Sequence, residues 1–183
     1  MNPIAKLLSG ASGALGAIAG LAVLALVCHV TLDVILRYVF NAPLNGTILF
    51  VSTFYMVAIA FLPLALVEQG DNHISVELLF DRFPGGLRRA LMILGQVLTV
   101  IVASLIAIRS GEEALGKYAL GTFSLEGGTK FITWPSYFIL PAGFGLMALV
   151  ALWRLIAALL GIDSGFRGHN EIAAYMPAEE NHD

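Results

Sequence analysis

Four long stretches without a formal charge constrain this sequence more than any other feature. They run from residue 10 to 32, from 38 to 67, from 90 to 108 and from 131 to 153. A helix needs about 20 apolar residues to cross the roughly 30 Å of hydrocarbon in a bilayer. Because lipid offers the backbone no hydrogen-bond partner, a continuously apolar stretch of this length crosses as a helix. The sequence therefore predicts four membrane-spanning helices.

The composition favours the same class of protein. Hydrophobic residues make up 58% and charged residues 13% of the chain, against roughly 45–50% and about 25% in soluble domains. Barrel strands would alternate apolar and polar residues over about 10 positions, and these stretches do not. We predict an all-α integral membrane protein with a four-helix membrane domain over residues 1–162 and a polar cytoplasmic tail over 163–183. The predicted spans are 10–36, 46–67, 88–112 and 131–158.

The distribution of basic residues predicts the orientation of the spans. With four spans both termini lie on one side, and the segments on that side hold six of the ten Lys and Arg residues. Cytoplasmic segments are enriched in basic residues, so we expect both termini in the cytoplasm. The adjacent Arg88 and Arg89, directly before the third stretch, contribute most to this bias and are predicted to set the topology.

The connection between the second and third spans carries an apolar pattern of its own. Val76, Leu79, Phe80 and Phe83 are spaced i, i+3, i+4 and i+7, which places them on one face of a helix. Pro84 and the two glycines after it end the pattern. We expect a short amphipathic helix that lies in the membrane interface, packs on a partner protein at that depth, or does both.

The connection between the third and fourth spans begins with polar residues, Glu112, Glu113 and Lys117 among them. The third helix is therefore expected to extend beyond the bilayer before glycines from Gly121 onward break it. At the end of the first span, Asp33 and Arg37 are four residues apart on one helix face. They form either an anchor for a partner or for lipid headgroups, or a self-contained ion pair that lets the helix end at the interface.

Catalytic and transport machinery inside a membrane usually requires ionisable groups at mid-span, and the centres of these four stretches have none. No nucleophile–base set, nucleotide loop, metal-ligand spacing or basic stripe for nucleic acid is recognisable. Gln96, Thr99, Ser104 and Thr53 have the chemistry to bond between helices, but none converges on an obvious partner. The residues thus predict no enzyme, cofactor or metal, and most simply a subunit of a larger assembly.

Three segments carry specific motifs. The first follows the first span, the second lies in the connection after the second span, and the third opens the fourth span. They are Arg37-Tyr-Val-Phe-Asn-Ala-Pro-Leu44, then His73-Ile-Ser-Val-Glu77 with Asp81-Arg-Phe-Pro84 and Leu87-Arg-Arg89, then Trp134-Pro135 with Ile139-Leu-Pro-Ala-Gly-Phe144. In this order, and over roughly residues 15 to 160, they resemble the small membrane subunit of TRAP transporters (tripartite ATP-independent periplasmic, the DctQ-like family).

The resemblance implies a scaffold role. Such systems import organic acids, commonly carboxylates, driven by a sodium or proton gradient across the bacterial inner membrane. A periplasmic binding protein captures the substrate and a large membrane subunit carries it, while the small subunit stands beside the large one. Arg37 and Asn41 would position the first turn. The family often has a Trp and two Glu after Pro-Leu, where this chain has Asn45, Thr47 and Ile48, so no acidic contact is expected there.

Two alternatives from other classes remain open on the residues alone. Four helices with a histidine, His29, inside the first span also suit a haem-bearing membrane anchor of a respiratory enzyme. Haem between helices usually needs a second axial ligand, and the other three histidines lie outside the stretches. A small self-sufficient exporter usually keeps an acidic residue inside a span, and none is present here.

Overall fold

The computed structural model describes residues 3–70, 85–160 and Phe166. The first span is one long helix, α1 (Pro3–Val39). The second span is a chain of short pieces: α2 (Thr47–Phe50), a π-helical turn (Val51–Tyr55), α3 (Met56–Phe61) and α4 (Leu64–Gln69). Pro63 lies at the break between α3 and α4, because it lacks the N–H that a continuous helix requires. The next helix starts from its carbonyl oxygen, which accepts bonds from the Leu66 and Val67 amides.

The second half of the chain contains two more long helices and a small sheet between them. α5 (Gly85–Ala119) is followed by a hairpin of β1 (Phe123–Glu126) and β2 (Thr129–Ile132). A 3₁₀ segment (Trp134–Phe138) then leads into α6 (Ile139–Leu160). Proline at the second position of the 3₁₀ segment suits the start of a helix, where no N–H is needed.

Four helical segments are long and apolar enough to cross a membrane, which confirms the predicted number of spans in the described part of the chain. They are Pro3–Val39, Thr47–Gln69, Ile93–Ala119 and Trp134–Leu160. The amphipathic helix predicted around Val76, Leu79, Phe80 and Phe83 lies outside the described residues.

Small side chains allow the spans to pack closely. α6 packs along α5 and also contacts α1, α3 and α4. One close approach is at Gly143 of α6, where an added Cβ would overlap the carbonyl oxygen of Phe61. The buried apolar residues elsewhere are mostly alanines, among them Ala19, Ala58 and Ala151. Such small residues let helix backbones approach one another, which is how membrane helices gain packing energy.

The hairpin was not predicted from the sequence, which indicated only that glycines would break the third helix. Gly127 and Gly128 both have positive φ, 56° and 77°, as a two-residue type I′ turn requires. The strands pair antiparallel from Phe123 opposite Ile132 to Glu126 opposite Thr129. The two glycines therefore do more than end a helix: they reverse the chain so that β1 and β2 can pair.

Candidate functional site

Polar residues gather in two layers at opposite ends of the bundle. The layer on the side of the N-terminus, called here the termini-side layer, comprises Ser12, Glu68, Gln69, Gln96 and Arg154. The other, the turn-side layer, is built around Asp33, Arg37 and the first connection, which is the segment 40–46 between α1 and α2. At 1.5 Å per residue, Asp33 lies about 31 Å along α1 from Ser12, which matches the roughly 30 Å of bilayer hydrocarbon.

A buried ion pair forms the centre of the termini-side layer. The Glu68 side chain is 2% exposed and that of Arg154 14%, and Nη1 of Arg154 lies 3.3 Å from Oε1 of Glu68. The same nitrogen donates to the Glu68 backbone oxygen at 2.6 Å. Gln96 Nε2 donates to Oε1 of Glu68 and to the carbonyl oxygen of Ala151, each at 3.1 Å. The second, third and fourth spans are therefore joined at one point.

Gln69, one residue further along the chain, extends this layer to the first helix. Its side-chain amide donates to Ser12 Oγ and to the backbone oxygen of Leu8. Ser12 is completely buried. Because buried polar groups require partners, these bonds fix the N-terminal half of α1 against the end of α4.

Gln96 bonds between helices, as its chemistry allowed, but the sequence interpretation that it converges on no obvious partner was wrong. The charge-free stretches end at Val67 and Trp153, so Glu68 fell just outside the predicted second span, and Arg154, at the end of the predicted fourth span, was assigned no partner. The signal that could have linked them is their opposite charge at the ends of two spans that lie on the same side of the bundle. Thr99, by contrast, bonds only to Gly95 of its own helix turn among the described residues.

Asp33 organises the turn-side layer. Its side chain is 8% exposed, and Oδ2 accepts a bond from Arg37 Nη2 at 3.2 Å. Oδ1 accepts the backbone N–H of Leu44 at 2.8 Å, eleven residues further along the chain. The predicted alternative of a self-contained ion pair is thus incomplete, because one carboxylate oxygen holds the first connection in place.

Asn41, which was predicted to position the first turn, has a left-handed backbone with φ of 52°. Asparagine tolerates that conformation better than most residues. The chain can therefore turn back after α1, and the amide of Ala42 bonds to the carbonyl oxygen of Leu36 at 3.1 Å. Arg37, with 55% of its side chain exposed, lies at the rim of this turn.

The hairpin packs directly on the first connection. A Cβ added to Gly46, whose φ is 90°, would stand 2.7 Å from Cζ of Phe131. The Phe131 ring also meets Phe50 edge-on at 5.5 Å between centroids. Asn45 Oδ1 would lie 3.3 Å from a Cβ on Gly127. The two connections on this side of the bundle therefore form one packed unit.

His29 lies on α1 one turn before Asp33. Its Nδ1 is 3.3 Å from the hydroxyl of Tyr55, and its ring contacts those of Phe50 and Tyr55. With Cys28, Leu32, Leu44, Asn45 and Phe50 it lines an open cleft of about 420 Å³. His29 is the one histidine in the described part of the chain, and nothing there supports the haem alternative.

The remaining predicted residues lie at the start of α5 or outside the described residues. Arg88 and Arg89 lie in the first turns of α5, and the amphipathic segment from Val76 to Phe83 is outside the described residues. Across residues 3–70 and 85–160, no three His, Cys, Asp or Glu side chains form a group that could hold a metal ion.

Comparison with protein families gives a match. The family model described as "Tripartite ATP-independent periplasmic transporters, DctQ component" matches residues 26–161. This range includes Asp33, the first connection, Glu68, Gln96, the hairpin and Arg154. No curated protein matches the chain.

Proposed function

This chain belongs to the DctQ family of tripartite ATP-independent periplasmic transporters, and from that premise we propose that it is a static scaffold subunit. The observation that carries the proposal is the linkage of the four spans by buried polar contacts. Glu68, Gln96 and Arg154 join three spans at one end. Asp33 holds the first connection at the other. A helical bundle tied at both ends is suited to serve as the fixed wall beside a moving subunit.

The partners follow from the family. The transporter comprises a large membrane subunit, which carries the substrate and moves, and a periplasmic binding protein, which delivers it. The imported substrates are organic acids, commonly carboxylates, and an ion gradient drives their entry. The chain itself binds neither substrate nor ion in this proposal, and it acts without catalysis, cofactor, metal or nucleic acid.

We place the chain in the bacterial inner membrane with both termini cytoplasmic. This orientation puts the termini-side layer at the cytoplasmic face and the first connection with its hairpin at the periplasmic face. Arg88 and Arg89, at the start of α5, favour it because basic residues are retained on the cytoplasmic side. The turn-side layer, with Asp33, Arg37 and Asn41, then faces the periplasm.

Two surfaces are proposed for anchoring. The first is the turn of Asp33, Arg37 and Asn41, whose buried carboxylate gives the first connection a fixed shape for a partner. The second is the amphipathic segment with Val76, Leu79, Phe80 and Phe83, which would bury its apolar face in the bilayer interface or against the large subunit.

The test is purification and transport with the native system. The tagged chain is extracted from its own membrane in mild detergent, and proteins that come with it are identified by mass spectrometry. We expect a large multi-span subunit in near-equal amount, and loss of organic-acid uptake when the gene for either subunit is deleted. Uptake that continues at the normal rate without this chain would refute the proposal, as would recovery of the chain by itself.

A further inference from the structure

One face of α5 carries an exposed row of residues at heptad spacing. Successive members are four, three, four, three, four and three positions apart, the a and d pattern of a helix that packs lengthwise on another helix. Each member is half exposed or more on this chain. They are Leu94, Leu98, Ile101, Leu105, Ile108, Glu112 and Leu115. We call this row the α5 seam.

The α5 seam contains one charged residue, Glu112, which forms an ion pair with Arg109 at the edge of the same helix face. Oε2 of Glu112 lies 3.1 Å from Nη1 of Arg109. Arg109 directly follows Ile108 and so occupies an e position beside the seam. The two side chains are 81% and 61% exposed for Arg109 and Glu112 respectively. Coiled coils use these features for specificity: a polar residue at one a position fixes the register, and e positions form interhelical ion pairs.

The depth of this pair follows from the contacts that nearby residues of α5 make with the fourth span. A Cβ on Gly111 would stand 3.9 Å from Cβ of Pro141, whereas Tyr118 meets the ring of Trp134 at 4.8 Å. Trp134 begins the fourth span, and Pro141 lies about 10 Å further along it. The Arg109–Glu112 pair is therefore level with the interior part of the fourth span rather than with its end.

The position of Arg109 along α5 indicates the same depth in the membrane. Arg109 lies about 20 Å along the helix from Gln96, within the roughly 30 Å separating the two polar layers. At this depth α1 and the second span expose apolar side chains such as Val27 and Met56. Charged side chains facing lipid are strongly disfavoured and therefore face protein or water. An exposed ion pair here indicates that this face is covered by something other than acyl chains.

We propose that the α5 seam is the docking surface for one membrane helix of the transporter's large subunit. That helix would present apolar residues to Leu98, Ile101 and Leu105, a basic or hydrogen-bond-donating side chain to Glu112, and an acceptor to Arg109. The proposal rests on the proposed scaffold function and specifies which surface performs it. It differs from the expectation that the third helix leaves the bilayer at the polar residues that begin with Glu112.

The decisive variant exchanges the two charges, R109E with E112R. It preserves the net charge and the ion pair within α5, but it presents the opposite charge to the partner at both positions. We expect recovery of the large subunit with the tagged chain to fall by about tenfold, because like charges then meet across the contact. The matched control exchanges Glu113 and Lys117, E113K with K117E, a looser pair at 4.0 Å that occupies b and f positions away from the seam. Lys117 lies over the ring of Tyr137 at the start of the fourth span, so this pair reaches the membrane interface, unlike the pair of Arg109 and Glu112. Recovery with this control is expected to stay unchanged.

A second measurement uses the chain without altered charges. Photoreactive benzoylphenylalanine replaces Leu105 on the seam or Leu24 on α1, which are similarly exposed at 57% and 63%. Irradiation in native membranes is expected to link position 105, and not position 24, to the large subunit. Linkage of two copies of this chain at position 105, or no protein adduct there, would overturn the inference. If the unmodified chain copurifies with the large subunit and supports uptake, such a result refutes the seam and leaves the scaffold function intact.

Discussion

Arg154, near the end of the fourth span, binds Glu68, near the end of the second, through both the side-chain and the backbone oxygen of that residue. The glutamate carboxylate also accepts the amide of Gln96 from the third span. Three helices that are far apart in sequence thus share one buried acceptor. Removing one member of such a set leaves a buried charge uncompensated, whereas removing both charges together does not.

We therefore expect strong coupling between these two charges. Glu68→Ala and Arg154→Ala should each lower the stability of the bundle in mild detergent by about 3–5 kcal/mol. The double variant should lose much less than the sum of the two. Glu68→Gln keeps an oxygen acceptor for Gln96 and is expected to be milder than Glu68→Ala. Thermal or denaturant unfolding of the four variants measures the coupling, and strictly additive losses would argue against a shared pair.

Gly143 allows a test of close helix packing. Alanine there would place its Cβ against the Phe61 carbonyl oxygen, and the backbone of α3 cannot yield as a flexible side chain would. We expect Gly143→Ala to cost about 1–3 kcal/mol of stability through overpacking. Gly145, on the same helix, has nothing within 4 Å of its Cβ position. Gly145→Ala is the matched control and should be neutral or stabilising, since alanine favours helix. Equal melting temperatures for the two variants would contradict the observed approach.

Asp33 should matter more than its ion-pair partner. Asp33→Ala removes the acceptor of the half-buried Leu44 amide, a loss of about 1.5–3 kcal/mol for a hydrogen bond to a charged group. Arg37→Ala leaves the Leu44 bond in place and should change stability by about 1 kcal/mol or less, because the arginine side chain is mostly exposed.

Hydrogen exchange read by mass spectrometry measures this difference locally. We expect faster exchange across residues 42–46 in Asp33→Ala and little change there in Arg37→Ala. The opposite order would mean that the ion pair, and not the bond to Leu44, holds the first connection.

The four spans could be predicted because a helix in lipid depends on local composition alone: about 20 consecutive apolar residues suffice. The polar contacts between the spans could not. Glu68 and Arg154 are separated by 86 positions, and their meeting depends on how the helices pack. The hairpin was missed for a related reason, since Gly127 and Gly128 signal a turn but not that its arms pair or that Phe131 packs on Gly46. Asp33 and Arg37 were recognised by spacing, whereas the bond to Leu44 requires the chain to turn back.

The last prediction concerns the orientation of the chain. Arg88 and Arg89 lie at the start of α5, directly before the third span. Replacing both by glutamate removes the two basic residues that contribute most to the cytoplasmic bias, so the fraction of chains inserted with this connection in the cytoplasm should fall. A reporter fused after residue 89, active on only one side of the membrane, measures that fraction. The control replaces Lys117 and Lys130 by glutamate on the opposite side, which should preserve or strengthen the bias. A reporter that remains wholly cytoplasmic in the Arg88 and Arg89 variant would show that other segments set the topology.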